Sequence, residues 1–203
     1  MRLHRFFFLA AAALVGILVL ATPPGRALAA DDAASFVGQA ADSVLALARD
    51  KGLSQHKFKE GLRTIAEQDF DVPRIARFAL GQYWRSASDT DRQEFAEAFE
   101  DYMVQVYAAH FRQYSGANFK VVGQRAQGDT TMVTTEIAQA SGQPPAKVIW
   151  QVAHQPNGYK ITDVVIEGIS QAITYREEFS SVIRQHGEQV SALTQQLREK
   201  ARG

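Results

Sequence analysis

The 203-residue sequence contains no cysteine, which excludes disulfide staples and thiolate chemistry. It has no block of consecutive basic residues, which argues against nucleic acid as a partner. After residue 20 no apolar run is long enough to cross a bilayer. The five histidines, His4, His56, His110, His154 and His186, form no metal-ligand spacing, so no metal is expected. There is no Gly-x-Ser-x-Gly nucleophile elbow, no glycine-rich phosphate loop and no internal repeat. Nor is there a linker long enough to separate two domains. These absences remove most catalytic and cofactor-dependent classes.

The N-terminus is patterned for export. Arg2, His4 and Arg5 precede an apolar run from Phe6 to Leu20 that only Gly16 interrupts. Thr22-Pro23-Pro24-Gly25 breaks the run, and Ala27-Leu28-Ala29 fits an A-x-A cleavage site. An uncleaved anchor is the alternative, but the run falls short of the ~20 residues a spanning helix needs. Cleavage after residue 29 would remove Arg2, Arg5 and Arg26 and no acid. The remaining 174 residues would carry 19 basic against 22 acidic side chains, a formal charge of −3. That length suits one domain, residues 30–203, and the signal suits a periplasmic destination.

The stretch from Ser88 to Tyr114 reads as the longest amphipathic helix. Ser88-Asp89-Thr90-Asp91 offers capping side chains. Phe95, Phe99, Tyr102, Met103 and Val106 form one stripe that Tyr107, Phe111 and Tyr114 broaden, with Glu100 as a lapse. Two readings stay open: a helix packed fully into a core, or one whose arc partly lines a cavity. Before it, helical periodicity predicts helices over 31–50, from Ser54, and from Asp71 to Leu80, the last stopped by Gly81; Tyr83 and Trp84 follow on a short segment.

After Ser115-Gly116 the period changes to two. Strands are expected over 119–125, 130–138, 147–154 and 159–167, joined by turns at Gln127-Gly128-Asp129 and Pro156-Asn157-Gly158 and by a loop at 141–145. Helices over 171–185 and 188–200 close the chain. The class is α+β: six to seven helices packed on a four-stranded antiparallel sheet.

Asp163 and Glu167 lie on one side of the fourth strand, a carboxylate pair of the kind that can serve as general acid and base. The competing readings are a solvated face, or a Glu167 that fixes the Gly168 turn through backbone hydrogen bonds. His110 sits at the rim of the long helix's arc, where packing or partial exposure accounts for it.

Two blocks carry a family resemblance. Leu80-Gly81-Gln82-Tyr83-Trp84-Arg85-Ser86-Ala87-Ser88, followed by Arg92, Phe95, Phe99 and Tyr107, is the first. Asp163-Val164-Val165-Ile166-Glu167-Gly168-Ile169-Ser170, then Tyr175-Arg176 and Phe179, is the second. In this order, after a signal-like N-terminus, they resemble the MlaC family, also called the toluene-tolerance family, over about Ala33 to Lys200. The resemblance implies a periplasmic phospholipid carrier with no cofactor and no catalytic residues, its helices and sheet enclosing an apolar cavity. Its partners would be an outer-membrane lipoprotein complex and an inner-membrane ABC transporter with an MCE-domain subunit. A hopanoid-associated branch leaves a hopanoid ligand open.

Facing along the predicted elements then nominates a lipid-contacting wall: Phe78, Tyr83, Trp84, Phe99, Met103, Val106, Tyr107, Met132, Trp150, Val152, Ile161, Val165 and Ile169. Phe95 is expected as ordinary core. Arg176 is a candidate for the cavity mouth or a partner surface, unless it pairs with Glu167. Two other functions remain: a small cavity enzyme using Asp163 or Glu167, and an adaptor that binds membrane-complex proteins without a ligand.

Overall fold

The computed structural model describes residues 25–111, 118–138 and 144–202. The apolar run at 6–20, Arg112, Tyr114, Ser115-Gly116 and Ser141-Gly142-Gln143 lie outside the described residues.

Five helices come first: α1 (Gly25–Arg49), α2 (Gln55–Asp69), α3 (Val72–Leu80), the single turn α4 (Tyr83–Ser86) and α5 (Asp89–Phe111). Their ends are set by side-chain caps. Ser54 Oγ accepts the Lys57 N–H, and Asp71 Oδ1 accepts the Arg74 N–H, each at 3.2 Å. Ser88 Oγ accepts the Asp91 N–H at 3.1 Å while Asp91 Oδ2 accepts from the Ser88 N–H and hydroxyl, a reciprocal box that starts α5. Gly81 ends α3 with φ +61°, a conformation that L side chains rarely adopt. None of the helices, among the described residues, is long and apolar enough to cross a membrane.

The strands are β1 (Phe119–Gln127), β2 (Thr130–Ile137), β3 (Ala146–Gln155), β4 (Gly158–Ile166) and β5 (Ile169–Ser170), followed by α6 (Gln171–Gln185) and α7 (Val190–Arg202). They pair antiparallel in chain order, β1-β2-β3-β4-β5. The meander is the expected one with a fifth, two-residue strand added. Glu167 and Gly168, at φ +49° and +84°, turn the chain so that Ile169 pairs back with Ile166. At the Pro156-Asn157 turn the positive φ falls on Gly158 alone, not on Asn157.

Register decides which side chains share a face. Val133 stands opposite Trp150, Thr135 opposite Val148, and Val152 opposite Ile161. This first face is covered by Ala33, Val37 and Ala40 of α1. Its buried Thr135 is satisfied: the hydroxyl donates to Val148 O and accepts the Trp150 Nε1–H at 2.9 Å. The second face carries Met132, Thr134, Ile149, Gln151, Asp163 and Val165. A bulge at Gln151/Val152 shifts the register, so Ile161 and Asp163, two apart in sequence, point to opposite faces.

The helices form their own core. Phe95 and Phe99 of α5 meet Tyr175 and Phe179 of α6 in edge-on contacts with centroids 5.7–5.8 Å apart. Leu193 and Leu197 of α7 and Ala76, Ala79 and Leu80 of α3 complete that cluster. A smaller cluster joins Phe58 and Leu62 of α2 to Ala108 of α5 and Ala48 of α1. Glu100, the lapse in the α5 stripe, accepts from Arg63 of α2 at 2.7 Å, and Asp101 accepts from the same guanidinium. Lys160 of β4 donates to Glu67 O and Gln68 O, satisfying carbonyls that the end of α2 leaves open.

Phe99 is 1% exposed and surrounded by rings. Phe99→Ala is expected to destabilise the protein by about 3–5 kcal/mol, read as a shift of the urea unfolding midpoint. A change below about 1 kcal/mol would contradict the placement.

Candidate functional site

The nominated wall residues separate into three groups. Tyr83, Phe99, Val152 and Ile161 are buried within the core clusters, where they pack against other side chains. Phe78 and Ile169 are 39% and 61% exposed, on the outside of the molecule. The half-buried remainder is Trp84, Met103, Val106, Tyr107, Met132, Trp150 and Val165. Trp150 belongs to the α1-covered face, and Trp84 packs against the helical core under the Arg92 guanidinium. Tyr83 is buried in the same core, and its hydroxyl has no hydrogen-bond partner among the described residues.

That leaves Val106 and Tyr107 from the C-terminal half of α5, with Met103 one turn before, and Met132 and Val165 on the second sheet face. Tyr107 ties these together. Its hydroxyl hydrogen-bonds with that of Tyr175 of α6 and lies close enough to Asp163 of β4 to feel its charge. Burial pushes the Tyr107 phenol above its ordinary pKa, with the Asp163 charge adding to the rise and the Tyr175 hydrogen bond opposing it. Burial also raises the Tyr175 phenol, reinforced by Tyr107 and by the charge of Glu178. Yet the Tyr107 side chain keeps part of its surface accessible.

α5 takes its main packing from α7, α2 and α3 rather than from the sheet. The second sheet face is half-buried throughout Met132, Thr134, Ile149, Gln151, Asp163 and Val165. The candidate site is assigned to the region where Tyr107, in the C-terminal half of α5, approaches Tyr175 at the start of α6 and Asp163 on this face. Tyr175, Ile149 and Thr134 join it without having been nominated. Tyr175 was visible in the second motif block, on the helical repeat Ala172-Tyr175-Phe179, but its approach to Tyr107 is a tertiary fact.

The two carboxylates hold structure. Asp163 Oδ1 accepts the Val164 and Ala172 N–H groups at 2.8 and 3.0 Å, and Oδ2 accepts the Ser170 hydroxyl. Ser170 in turn caps α6 by accepting the Ile173 N–H at 3.1 Å. Glu167 accepts the Lys147 N–H across the sheet edge. Both anions are engaged by fixed donors, unlike a free general base. Arg176 does not pair with Glu167 among the described residues. Its guanidinium lies 4.7 Å from the Phe78 ring centroid and its stem passes Gly81, where an added Cβ would meet Cγ and Cδ at 3.3 Å.

Two surface grooves lie elsewhere. One of about 530 Å³ runs between α4 and the α6–α7 turn and includes Tyr83, Asp91 and Glu188. The other, about 640 Å³, lies between α2, α5 and α7 and is lined by Lys59, Arg63, Asp101, Gln105 and Arg202 among others. Charged and polar side chains contribute to both, and Tyr83 is the one nominated residue in either. The described residues contain no group of three or more His, Asp or Glu able to hold a metal.

A family model described as MlaC protein matches residues 38–199. A protein of Haemophilus influenzae, the intermembrane phospholipid transport system binding protein MlaC, is 24% identical over 197 residues, covering 92% of this chain and 89% of that one. A solved structure of a phospholipid-binding protein from Ralstonia solanacearum, in complex with a phospholipid, superimposes with a TM-score of 0.74 at 25% identity. The match covers 84% of this chain and 97% of that one.

The tyrosine pair makes a pH prediction. Both phenols are held above their ordinary value in the folded state, whereas unfolded tyrosines ionise near pH 10. Below about pH 10 both states keep these protons. Above it the unfolded chain releases them first, so stability falls as pH rises. Ultraviolet titration of tyrosinate should show a late-ionising fraction that shrinks in Tyr107→Phe and in Tyr175→Phe. Ordinary titration of every tyrosine would contradict the assignment.

Proposed function

The chain belongs to the MlaC family, and on that premise we propose that it is a periplasmic carrier of phospholipid, exported by a cleavable signal peptide. The observation that carries this reading is the likeness, over nearly the whole of the other chain, to a protein solved with a phospholipid bound. Acyl tails occupy the space between Val106, Tyr107, Tyr175, Met132 and Val165, and the head group stays outside. Each buried methylene contributes roughly 0.8 kcal/mol, so two tails bind without any directed head-group contact. The carrier takes lipid from one membrane complex and gives it to another. Its partners are an outer-membrane lipoprotein complex and an inner-membrane ABC transporter with an MCE-domain subunit, and the process maintains outer-membrane lipid asymmetry.

No bond-making step is needed. The saturation of Asp163 and Glu167 by backbone and hydroxyl donors supports a carrier over a cavity enzyme. The half-buried second sheet face supports a ligand-holding protein over a ligand-free adaptor.

Native mass spectrometry of gently purified protein should show a co-purified lipid, and extraction should identify it as a glycerophospholipid. A hopanoid would redirect the ligand assignment within the same cavity. A lipid-free protein that takes up nothing from vesicles would overturn the carrier reading. Val106→Trp should lower the lipid content severalfold while changing the melting temperature little, because the side chain fills tail space rather than core. Undiminished loading would remove Val106 from the wall.

A further inference from the structure

The outward sides of α3 and α6 form a surface that the carrier reading leaves unused. Phe78, Ile173 and Ile169 are large apolar side chains exposed at 39%, 43% and 61%. Arg74, Arg77 and Phe78 recur at helical spacing on the exposed side of α3, while Ala76, Ala79 and Leu80 face inward. The Arg176 guanidinium rests on Phe78, and Ile173 lies one turn earlier on α6, beside the turn bearing Ile169. The patch is thus connected from Arg74 through Phe78 and Arg176 to Ile169.

Its charge is mostly uncompensated. Among the described residues, Arg74, Arg77 and Arg176 make no ion pair, whereas Arg63, Arg92 and Arg198 each do. Glu177 is the exposed acid sharing the Ile173 side of α6; Glu178 lies toward Tyr102 on the other flank, and the Glu167 carboxylate is bound to the Lys147 N–H. Neither surface groove includes any of these residues.

We propose that this patch docks the protein on the surface of an anionic phospholipid bilayer. Phe78, Ile169 and Ile173 enter the interfacial layer, and Arg74, Arg77 and Arg176 lie over lipid phosphates. Protruding apolar side chains among unpaired guanidinium groups match a deformable anionic interface, which requires no concave receptor site. The same turns of α6 that send Tyr175 inward send Ile173 and Arg176 outward. The proposal rests on the carrier reading for its purpose and not for its measurement.

Flotation of the mature protein with vesicles of phosphatidylcholine, with and without phosphatidylglycerol, tests it. Binding is expected on the anionic vesicles alone and should weaken as salt is raised. Arg74→Glu/Arg77→Glu and Phe78→Ser/Ile173→Ser should each reduce it about tenfold or more. Arg176→Glu alters the contact with Gly81, so the α3 pair provides the charge test on a helix face whose inward packing is untouched. Circular dichroism melting checks that each variant folds. Equal flotation of wild type and both double variants, binding independent of lipid charge, or no binding to vesicles would each overturn the proposal. Recruitment to membranes only through a protein component would count against it in the same way. Lipid content is measured on the same samples. Loss of docking with loading retained isolates the patch, whereas an unloaded wild type that still docks removes the carrier reading and leaves the patch standing.

Discussion

The contact of Phe95 and Phe99 with Tyr175 and Phe179 fixes α6 against the first half of α5. Everything beyond it follows from where that contact places the two helices. The anchored half of α5 is sealed by rings and by α7. The second half continues away from this core, held on one side by α2 through Ala108 and by the Arg63–Glu100 and Arg63–Asp101 pairs. Its other side, with Val106 and Tyr107, is left to face whatever fills the space before the sheet. One broad apolar arc therefore serves two physical ends: dense packing first, then a surface that stays partly open.

The start of α6 is fixed with equal care. Asp163 accepts from Val164, Ala172 and Ser170, and Ser170 caps the helix, so β4, the β5 turn and α6 are tied together by one carboxylate. A carboxylate beside the candidate site is thereby spent on geometry and not left for chemistry. The same anion stands near the Tyr107–Tyr175 hydroxyl pair, which supplies a buried polar link between the two helices in otherwise apolar surroundings. Buried hydroxyls that satisfy one another cost little and fix a wall in one arrangement.

Much of the fold was legible because its signals are local. Start residues at Ser54, Asp71 and Ser88 and the turns around Gly128 and Gly158 mark element ends within a few residues. β5 was not legible, since two residues hold no periodicity and Ile169-Ser170 also reads as the lead into a helix. The wall was only partly legible, and the reason is specific. Alternation along β4 groups Ile161, Asp163 and Val165 on one face, but the bulge at Gln151/Val152 puts Ile161 under α1 and the other two opposite. Met132 and Trp150 were nominated together, although Met132 stands opposite Gln151 and so on the other face from Trp150. Glu100 looked like a flaw on a single helical wheel because its partner, Arg63, comes from another helix.

The central claim is that lipid tails lie between the C-terminal half of α5 and the second face of the sheet. Photocrosslinking with a phospholipid carrying a diazirine near the end of one acyl chain tests it most directly. Peptide mapping should find label on Val106, Tyr107, Tyr175, Met132 or Val165. Label concentrated on Ala33, Val37 and Val133 beneath α1, or in the groove beside Lys59 and Arg202, would place the tails elsewhere and contradict the account.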